Sequence, residues 1–249
     1  MLQTADNRRF SNGGDEGDGW RTQPMYTISE AARLAHVSSS TVRRWLFGYR
    51  PDKRFPQFVV LPVLGDAEVS PCVSFLQLVE LVVASEFRKV SRVKLDVVAQ
   101  AHTNLRNETD IPYPFAHEEL ESLGGHVIRW LHRNGGSEVE SVDTPQQATM
   151  SSLVERRIHE SAERHVRTLE FIRQLASRWY PVGKQVPIVV DPLFSSGIPT
   201  IDGRGVTVGA IYRRWKADPH DNIRFIADDL QLDAQLVEQV LKYADTIAA

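Results

Sequence analysis

A run of hydroxyl and basic side chains between residues 39 and 54 is the part of the sequence best suited to binding chemistry. Serine and threonine hydroxyls bind phosphate oxygens, and an arginine guanidinium can bond both acceptors on the edge of a guanine. Between residues 26 and 54, six lysines and arginines face two acidic residues, although the whole chain has a net charge of −3. The sequence therefore predicts a local DNA-binding surface. Its candidate contact residues are Ser39, Ser40, Thr41, Arg43, Arg44, Arg50, Lys53 and Arg54.

Other side chains that commonly take part in catalysis are poorly placed for it. Cys72 is the only cysteine and has no basic residue beside it, which is typical of a core residue. The pairs His126/His132 and His159/His165 are six residues apart, a spacing that points them to different faces of a helix. The sequence contains no phosphate-binding loop and no nucleophile elbow. We therefore expect surface or capping histidines, no enzymatic activity, no cofactor and no metal site.

Two short helices are predicted to position the basic surface. Thr27 followed by Glu30 fits a capping box, in which each side chain bonds a free backbone N–H of the first turn. This box predicts a helix that runs to about Ala35. A second helix is predicted to start in the serine run 38–40 and to be closed by Gly48.

The spacing of apolar residues along these two helices fits a helix-turn-helix. That motif needs a small residue where the helices cross and apolar residues that fix the second helix to a small core. Counted from Ile28 as position one, Ala32 is at five, Val37 at ten, Val42 at fifteen and Trp45 at eighteen. The alternative is an ordinary helical hairpin at the surface, which does not require the cap, the spacing and the positive surplus to occur together.

The residues that follow predict a wing and a long helix. Residues 55–64 are apolar and β-prone, and their two prolines restrict them to edge strands. Arg50, Lys53 and Arg54 lie at the base of this hairpin, so it would serve as a wing that reaches the phosphate backbone of DNA. An amphipathic helix is predicted over 74–104, either continuous or broken near Ser91. Residues 111–115 contain two prolines and are predicted to be an extended linker.

The remaining segments differ in composition. Residues 1–24 are polar and glycine-rich, so they are predicted to be a disordered arm. Residues 121–188 are predicted to be an α/β connecting region, with strands at 126–131 and 186–190 and a helix at 151–165. Three helices are predicted to close the chain, over 207–217, 222–230 and 234–247.

The expected fold class is mainly α with minor β. An N-terminal winged helix-turn-helix domain is predicted over residues 25–120, and a C-terminal three-helix domain resembling a helix-turn-helix is predicted over residues 189–249. The two would be joined by the connecting region.

The N-terminal half resembles the MerR-like winged helix-turn-helix. The resemblance is carried by residues 26–34, Tyr-Thr-Ile-Ser-Glu-Ala-Ala-Arg-Leu, and by residues 41–45, Thr-Val-Arg-Arg-Trp. Residues 74–81 resemble the helix that follows the wing in antitoxin-associated members of that group. This resemblance covers roughly residues 25–120.

The segment from Val189 onward resembles the small three-helix domain of many bacterial antitoxin-like proteins. Together the two halves resemble a VapB-type antitoxin of a type II toxin–antitoxin pair. The resemblance implies that the protein represses its own operon and neutralises a PIN-type ribonuclease toxin. The run Gly203-Arg204-Gly205 departs from the Gly-Thr-Arg that often precedes the first helix in that family. The matching C-terminal residues are Asp191, Pro192, Gly197, Ile198, Pro199, Gly203, Val206, Thr207, Val208, Ile223, Ala227, Asp228, Asp229, Leu230, Val237 and Tyr243.

The charge of the C-terminal segment favours protein partners. From residue 201 onward, six basic residues are outnumbered by eight acidic ones, which makes a poor surface for phosphate. A simply solvated helical face is the alternative. A homodimer is expected, because one helix-turn-helix reads only half of a two-fold operator. Residues 74–104 and the C-terminal segment are the candidate dimer surfaces. The alternative function is a stand-alone, ligand-responsive regulator of the MerR type, with residues 121–185 as its sensor.

Nothing in the sequence predicts a membrane partner. No apolar run approaches the roughly 18–20 residues that cross a bilayer, and the N-terminus lacks the pattern of a signal peptide. A single cysteine suits a reducing compartment. We expect a cytoplasmic protein.

Overall fold

A computed structural model of the protein describes residues 19–49, 61–65, 70–121, 145–217 and 222–248, and gives the backbone alone at 145–155 and 158. The described part is mainly helical with minor β, which confirms the predicted class at that level. None of its helices is long and apolar enough to cross a bilayer. Eight α-helices lie within it: α1 (Ile28–Leu34), α2 (Ser39–Phe47), α3 (Phe75–Lys89), α4 (Leu95–Thr109), α5 (Pro145–Thr168), α6 (Val208–Ala217), α7 (Ile223–Leu230) and α8 (Ala234–Ala248).

Three two-stranded antiparallel sheets accompany these helices. The β1–β2 pair brings the start of α1 beside the start of α3. The β3–β4 pair is a hairpin that follows α5, and the β5–β6 pair precedes α6. The strands are β1 (Pro24–Thr27), β2 (Cys72–Ser74), β3 (Leu169–Ile172), β4 (Leu175–Trp179), β5 (Ile188–Val189) and β6 (Thr200–Ile201).

The capping box at the start of α1 is confirmed. The Thr27 hydroxyl accepts from the Glu30 N–H at 3.2 Å, and the Thr27 N–H donates to the Glu30 carboxylate at 2.8 Å. α1 ends in a Schellman turn: Val37 N–H donates to Ala32 O at 2.9 Å, and His36 N–H to Arg33 O at 3.1 Å. His36 is left-handed there, with φ of +54°, a conformation that costs a residue with a Cβ roughly 1 kcal/mol.

The helix predicted over 74–104 is broken near Ser91, which was one of the two predicted alternatives. α3 ends at Lys89 and α4 begins at Leu95, and Arg92 between them is left-handed with φ of +54°. Ser91 is buried in this turn.

The predicted extended linker at 111–115 is wrong. Pro114–Ala116 is a 3-10 turn whose Phe115 is fully buried. The Glu80 carboxylate of α3 accepts from Phe115 N–H at 2.8 Å and Ala116 N–H at 3.2 Å. Its other oxygen lies 2.5 Å from His102 Nε2 of α4. A buried carboxylate needs donors, and these come from a segment that is distant in sequence, so local proline rules did not reveal them.

The predicted disordered arm is also wrong at its end. Residues 1–18 lie outside the described part, but Gly19–Arg21 is a 3-10 turn and Pro24 begins β1. Arg21 is 1% exposed, and its guanidinium donates to Ile172 O at 2.8 Å and Leu175 O at 3.4 Å. The arm is ordered here because its arginine supplies donors to the tip of the β3–β4 hairpin.

The middle of the chain agrees with prediction only in part. The helix predicted at 151–165 lies within the longer α5, and β5 lies inside the strand predicted at 186–190. The strand predicted at 126–131 and residues 55–60 of the predicted wing lie outside the described residues, and residues 61–64 form no strand. The three C-terminal helices are confirmed within one residue at each end.

His159 and His165 were expected to be surface or capping residues. His159 is exposed and lies 2.9 Å from Glu163, but His165, six residues further along α5, is only 8% exposed. His165 is buried because α5 packs against α3 along that face. His126 and His132 lie outside the described residues.

Two apolar cores organise the described chain. The larger one gathers residues from α1 to α4, the β3–β4 hairpin and part of α5. The smaller one gathers α6, α7 and α8 with the β5–β6 pair, and we call this unit the C-terminal module. The two units meet where β1 and α1 contact the 195–197 turn and α8.

Candidate nucleic-acid interface

The outer face of α2 carries the central part of the predicted DNA surface. Ser40, Arg43 and Arg44 are exposed, while Val42 and Trp45 are buried on the opposite face. This division follows from helical spacing, because residues three and four apart share a face. Neither arginine forms an ion pair with another residue of the described part of the chain.

The hydroxyl groups at the start of α2 are partly used by the helix itself. Ser38 is the N-cap and accepts from the Thr41 N–H at 3.1 Å. The hydroxyls of Ser40 and Thr41 each lie 2.8 Å from the Ser38 oxygen. Ser39 and Thr41 are half-buried. Among the predicted hydroxyl contacts, Ser40 is therefore the most accessible.

The far end of α2 is fixed by the segment that returns from the predicted wing. Val63 N–H and Leu64 N–H each lie 2.8 Å from the carbonyl of Trp45. Val63 and Leu64 are also buried in the same core as Trp45. α2 is thus capped at its start and bonded to the 63–64 segment at its end, which fixes the helix from which both arginines project. The predicted contacts Arg50, Lys53 and Arg54 lie outside the described residues.

A second basic surface was missed by the sequence reasoning. The α3–α4 turn exposes Arg88, Lys89, Arg92 and Lys94. The signal for it was present, because residues 88–94 contain four cations and no acid. We call it the basic turn.

The basic turn lies against the α1–α2 turn. The Lys89 ammonium donates to the carbonyl oxygen of His36. Partial burial there lowers the pKa of Lys89. Glu86 of α3, three residues before Lys89, is bonded by Arg164 of α5 at 2.7 Å. The structure therefore places the basic turn beside the short turn that leads into α2, the helix that carries Arg43 and Arg44.

Few acids oppose these cations near α1 and α2. The Glu30 carboxylate accepts from both the backbone N–H and the hydroxyl of Thr27 at 2.8 Å, so its charge lies at the start of α1. An anion at a helix N-terminus is stabilised by the helix dipole. Among the described residues, no three His, Cys, Asp or Glu side chains converge in a way that could hold a metal ion.

No family model matches the sequence, and no curated protein matches it either. Among solved structures, the fold is similar to that of the crystal structure of Rv2018 from Mycobacterium tuberculosis, with a TM-score of 0.64. The alignment covers 89% of this chain and 99% of that chain at 21% sequence identity. At that identity the likeness establishes a shared fold and nothing about activity.

Proposed function

We propose that this protein is a dimeric DNA-binding antitoxin that represses its own operon and neutralises a ribonuclease toxin of the PIN type. In this proposal α1 and α2 are the helix-turn-helix. The observation that carries the proposal is the exposed face of α2, on which two arginines and a serine project from a helix held at both ends.

The chemistry of that face suits an operator. Arg43 and Arg44 can reach base edges in the major groove, where a bidentate guanine contact contributes about 1–3 kcal/mol of discrimination. The basic turn is suited to phosphates, which supply affinity without sequence information. Two copies would place two α2 helices on adjacent half-sites of a two-fold operator.

The C-terminal module is the proposed partner-binding half. Among its described residues, the acids of α7 and α8 and of the turn between them are exposed, although Asp229 is paired with Arg214 and Asp245 accepts from the Tyr212 hydroxyl at 3.0 Å. The surplus of acidic over basic residues in the sequence from residue 201 onward favours a protein partner over DNA. The toxin class comes from the resemblance of the sequence to VapB-type antitoxins.

The double variant Arg43→Ala/Arg44→Ala tests the DNA half. We expect it to bind a fragment from upstream of its own gene about 10- to 100-fold more weakly in a mobility-shift assay, because two base-reading guanidinium groups are lost. Arg224→Ala/Lys242→Ala is the matched control, since it removes two exposed cations from the C-terminal module. Normal DNA binding by the Arg43→Ala/Arg44→Ala variant would show that α2 is not the helix that reads the operator.

A ligand-responsive regulator is the second candidate, and one cavity favours it. A pocket of about 250 Å³ lies between the β3–β4 hairpin and the C-terminal module, lined by Arg178, Asp191, Phe194 and Asp202 among others. Co-expression with the neighbouring gene product separates the two candidates. An antitoxin is expected to co-purify with that product as a stable complex, whereas a stand-alone regulator should purify without it.

A further inference from the structure

The segment between β5 and β6 exposes three large apolar side chains. Leu193, Phe194 and Ile198 are 63%, 65% and 47% exposed, and they lie within six consecutive residues. We call residues 193–198 the apolar loop. Single exposed apolar residues are common at protein surfaces, whereas a cluster of them is typical of a surface that binds another molecule.

The backbone of the apolar loop is fixed by hydrogen bonds. The buried Asp191 accepts from Leu193 N–H at 2.9 Å, and its other carboxylate oxygen accepts from the Arg178 guanidinium at 2.8 Å. Within the loop, Gly197 N–H donates to Phe194 O at 2.9 Å. A loop that is already ordered loses little conformational freedom when a partner binds, so its exposed side chains can contribute more fully to affinity.

The apolar loop is also strained. Ser195 and Ser196 are both left-handed, with φ of +48° and +53°, a conformation that their Cβ atoms disfavour. Strain of this kind persists only where the surrounding structure holds it, and it is concentrated at binding and catalytic sites. It therefore supports a binding role for the side chains on either side of it, Phe194 and Ile198.

A cavity of about 250 Å³ adjoins the apolar loop. Phe194 forms part of its wall, and its charged lining residues are Arg178, Asp191 and Asp202. Glu170 lies 3.4 Å from the same guanidinium, so three carboxylates share one cation. Arg204 is exposed in the next turn of the chain but does not line the cavity. The cavity is smaller than the roughly 300–1,000 Å³ of typical small-molecule sites, and it suits a single long side chain.

The charges of the cavity indicate which occupant would fit. Three carboxylates around one guanidinium leave a negative surplus beside an apolar surface. The complementary surface therefore carries an arginine or lysine next to large apolar side chains. A second copy of the chain fits less well, because a two-fold contact centred on this patch would bring the same acidic surplus together twice.

We propose that the apolar loop and this cavity form a docking site for a protein partner, which packs apolar side chains on Leu193 and Phe194 and places an arginine or lysine cation beside Asp202. The identity of that partner as the ribonuclease toxin rests on the proposed function. The site itself rests on the exposure, hydrogen bonds and charges of the described residues, so the site and the toxin can be tested separately.

The variant Leu193→Ser/Phe194→Ser tests the apolar part of the site. With the full chain and the product of the neighbouring gene, we expect binding about 30- to 100-fold weaker in titration calorimetry, because two anchoring side chains are truncated. Both side chains are exposed, so the free energy of unfolding should stay near that of the wild type. Phe225→Ser is the matched control, since Phe225 is 58% exposed on α7 of the same module, and it should change the affinity less than about twofold. Equal affinities of the wild type and the double variant would overturn the docking site.

The variant Asp202→Asn tests the charged part of the site. We expect its binding to be about tenfold weaker and less dependent on salt than that of the wild type, because an ion pair with the partner is lost. Asp228→Asn removes an exposed acid of α7 and should change neither quantity. A purely structural role of Asp202 would lower the affinity with an unchanged salt dependence, and that result would overturn the placement of a partner cation beside it.

The remaining outcomes concern the identity of the occupant. If Leu193→Ser/Phe194→Ser converts a dimer into a monomer in sedimentation, the occupant is a second copy of the chain and the proposal is wrong. If the neighbouring gene product does not bind the wild type, the proposed function fails, and the photo-crosslinker p-benzoylphenylalanine in place of Phe194, in the cells that produce the protein, then tests the site. A crosslink to one other protein, through a peptide with an arginine or lysine beside large apolar residues, supports the docking site. A crosslink to a second copy, or no crosslink, overturns it.

Discussion

At the scale of single residues, His165 is a buried histidine whose surroundings disfavour the protonated imidazole. Its imidazole is 8% exposed, and no described residue bonds its Nε2 atom. Burial, with a contribution from the cation of Arg164, lowers the pKa of His165 to about 4. The ring therefore stays neutral in the folded protein well below the pH at which it becomes charged in the unfolded chain.

Stability should consequently fall as pH decreases through this window. Below a pH of about 6.5 the unfolded state binds a proton that the folded state does not accept until the pH nears 4, so the folded state is progressively disfavoured. Between pH 7 and pH 5 we expect His165 to account for a loss of about 2 kcal/mol in the free energy of unfolding.

Urea unfolding of the wild type and His165→Gln at both pH values measures this loss. The variant should be less sensitive to acid by that amount. His159→Gln changes an exposed histidine of the same helix and should leave the acid sensitivity unchanged. An equal pH dependence in wild type and His165→Gln would contradict the assignment.

Residue-scale contacts were predictable only where both partners are neighbours in sequence. The Thr27–Glu30 box was predicted because its bonds span three residues, and the geometry of one helical turn enforces them. The bonds of Glu80 to Phe115 and Ala116 span 35 and 36 residues. No periodic rule connects residues at that distance, so the partners of Glu80 follow only from the packing of α3 against the 3-10 turn.

At the scale of elements, helices with a continuous apolar stripe were predictable and the short hairpin was not. α6, α7 and α8 have such stripes and clear caps, such as the Asn222 side chain that accepts from Phe225 N–H at 2.8 Å. The tip of the β3–β4 hairpin has φ of +52° at Arg173 and +68° at Gln174. Two-residue turns of that geometry favour Asn-Gly, so this pair carried no turn signal.

The hairpin tip is stabilised from elsewhere in the chain. Arg21 donates to the carbonyls that flank the tip, those of Ile172 and Leu175, and Glu118 N–H donates to Gln174 O at 2.6 Å. Two distant segments thus satisfy polar groups that the local sequence leaves open. This is also why the segment just before β1 is ordered although its composition predicted disorder.

At the scale of the whole molecule, the N-terminal half and the C-terminal module meet at a tightly packed contact around Gly197. A Cβ on Gly197 would lie 2.2 Å from the Tyr26 hydroxyl oxygen, and φ there is +71°. Tyr26 belongs to β1, directly before α1, and burial raises its pKa. The approach of the two halves therefore depends on the absence of a side chain at this position.

Gly197→Ala should destabilise the protein by about 2–4 kcal/mol, because overpacking against Tyr26 adds to the cost of a left-handed alanine. Gly203→Ala is the matched control: it has φ of +70° but no atom within 4 Å of its added Cβ, so a loss of about 1 kcal/mol is expected. Thermal or urea unfolding measures both. Equal losses of stability in the two variants would show that a Cβ at residue 197 does not clash with Tyr26.

An ionic network joins the same halves. Arg178 of β4 donates to Asp191 at 2.8 Å and to Asp202 at 2.7 Å, and both acids belong to the segment that leads into the C-terminal module. Asp191 in turn accepts from Leu193 N–H at 2.9 Å. One guanidinium thereby orders the chain on both sides of β6, which places the 195–197 turn against β1.

The hydroxyl and basic side chains between residues 39 and 54 predicted a binding surface. The sequence alone was sufficient to place those of α2 on one exposed helix face. Helix caps, apolar spacing and the exposure of Arg43 and Arg44 all follow from repeats of three and four residues, which are local properties. The tertiary structure decided what surrounds that face. The bond from the Lys89 ammonium to the His36 carbonyl joins segments 53 residues apart, and the contact of α1 with α8 joins the two halves of the chain. Such contacts depend on how finished elements pack, and no local pattern encodes them.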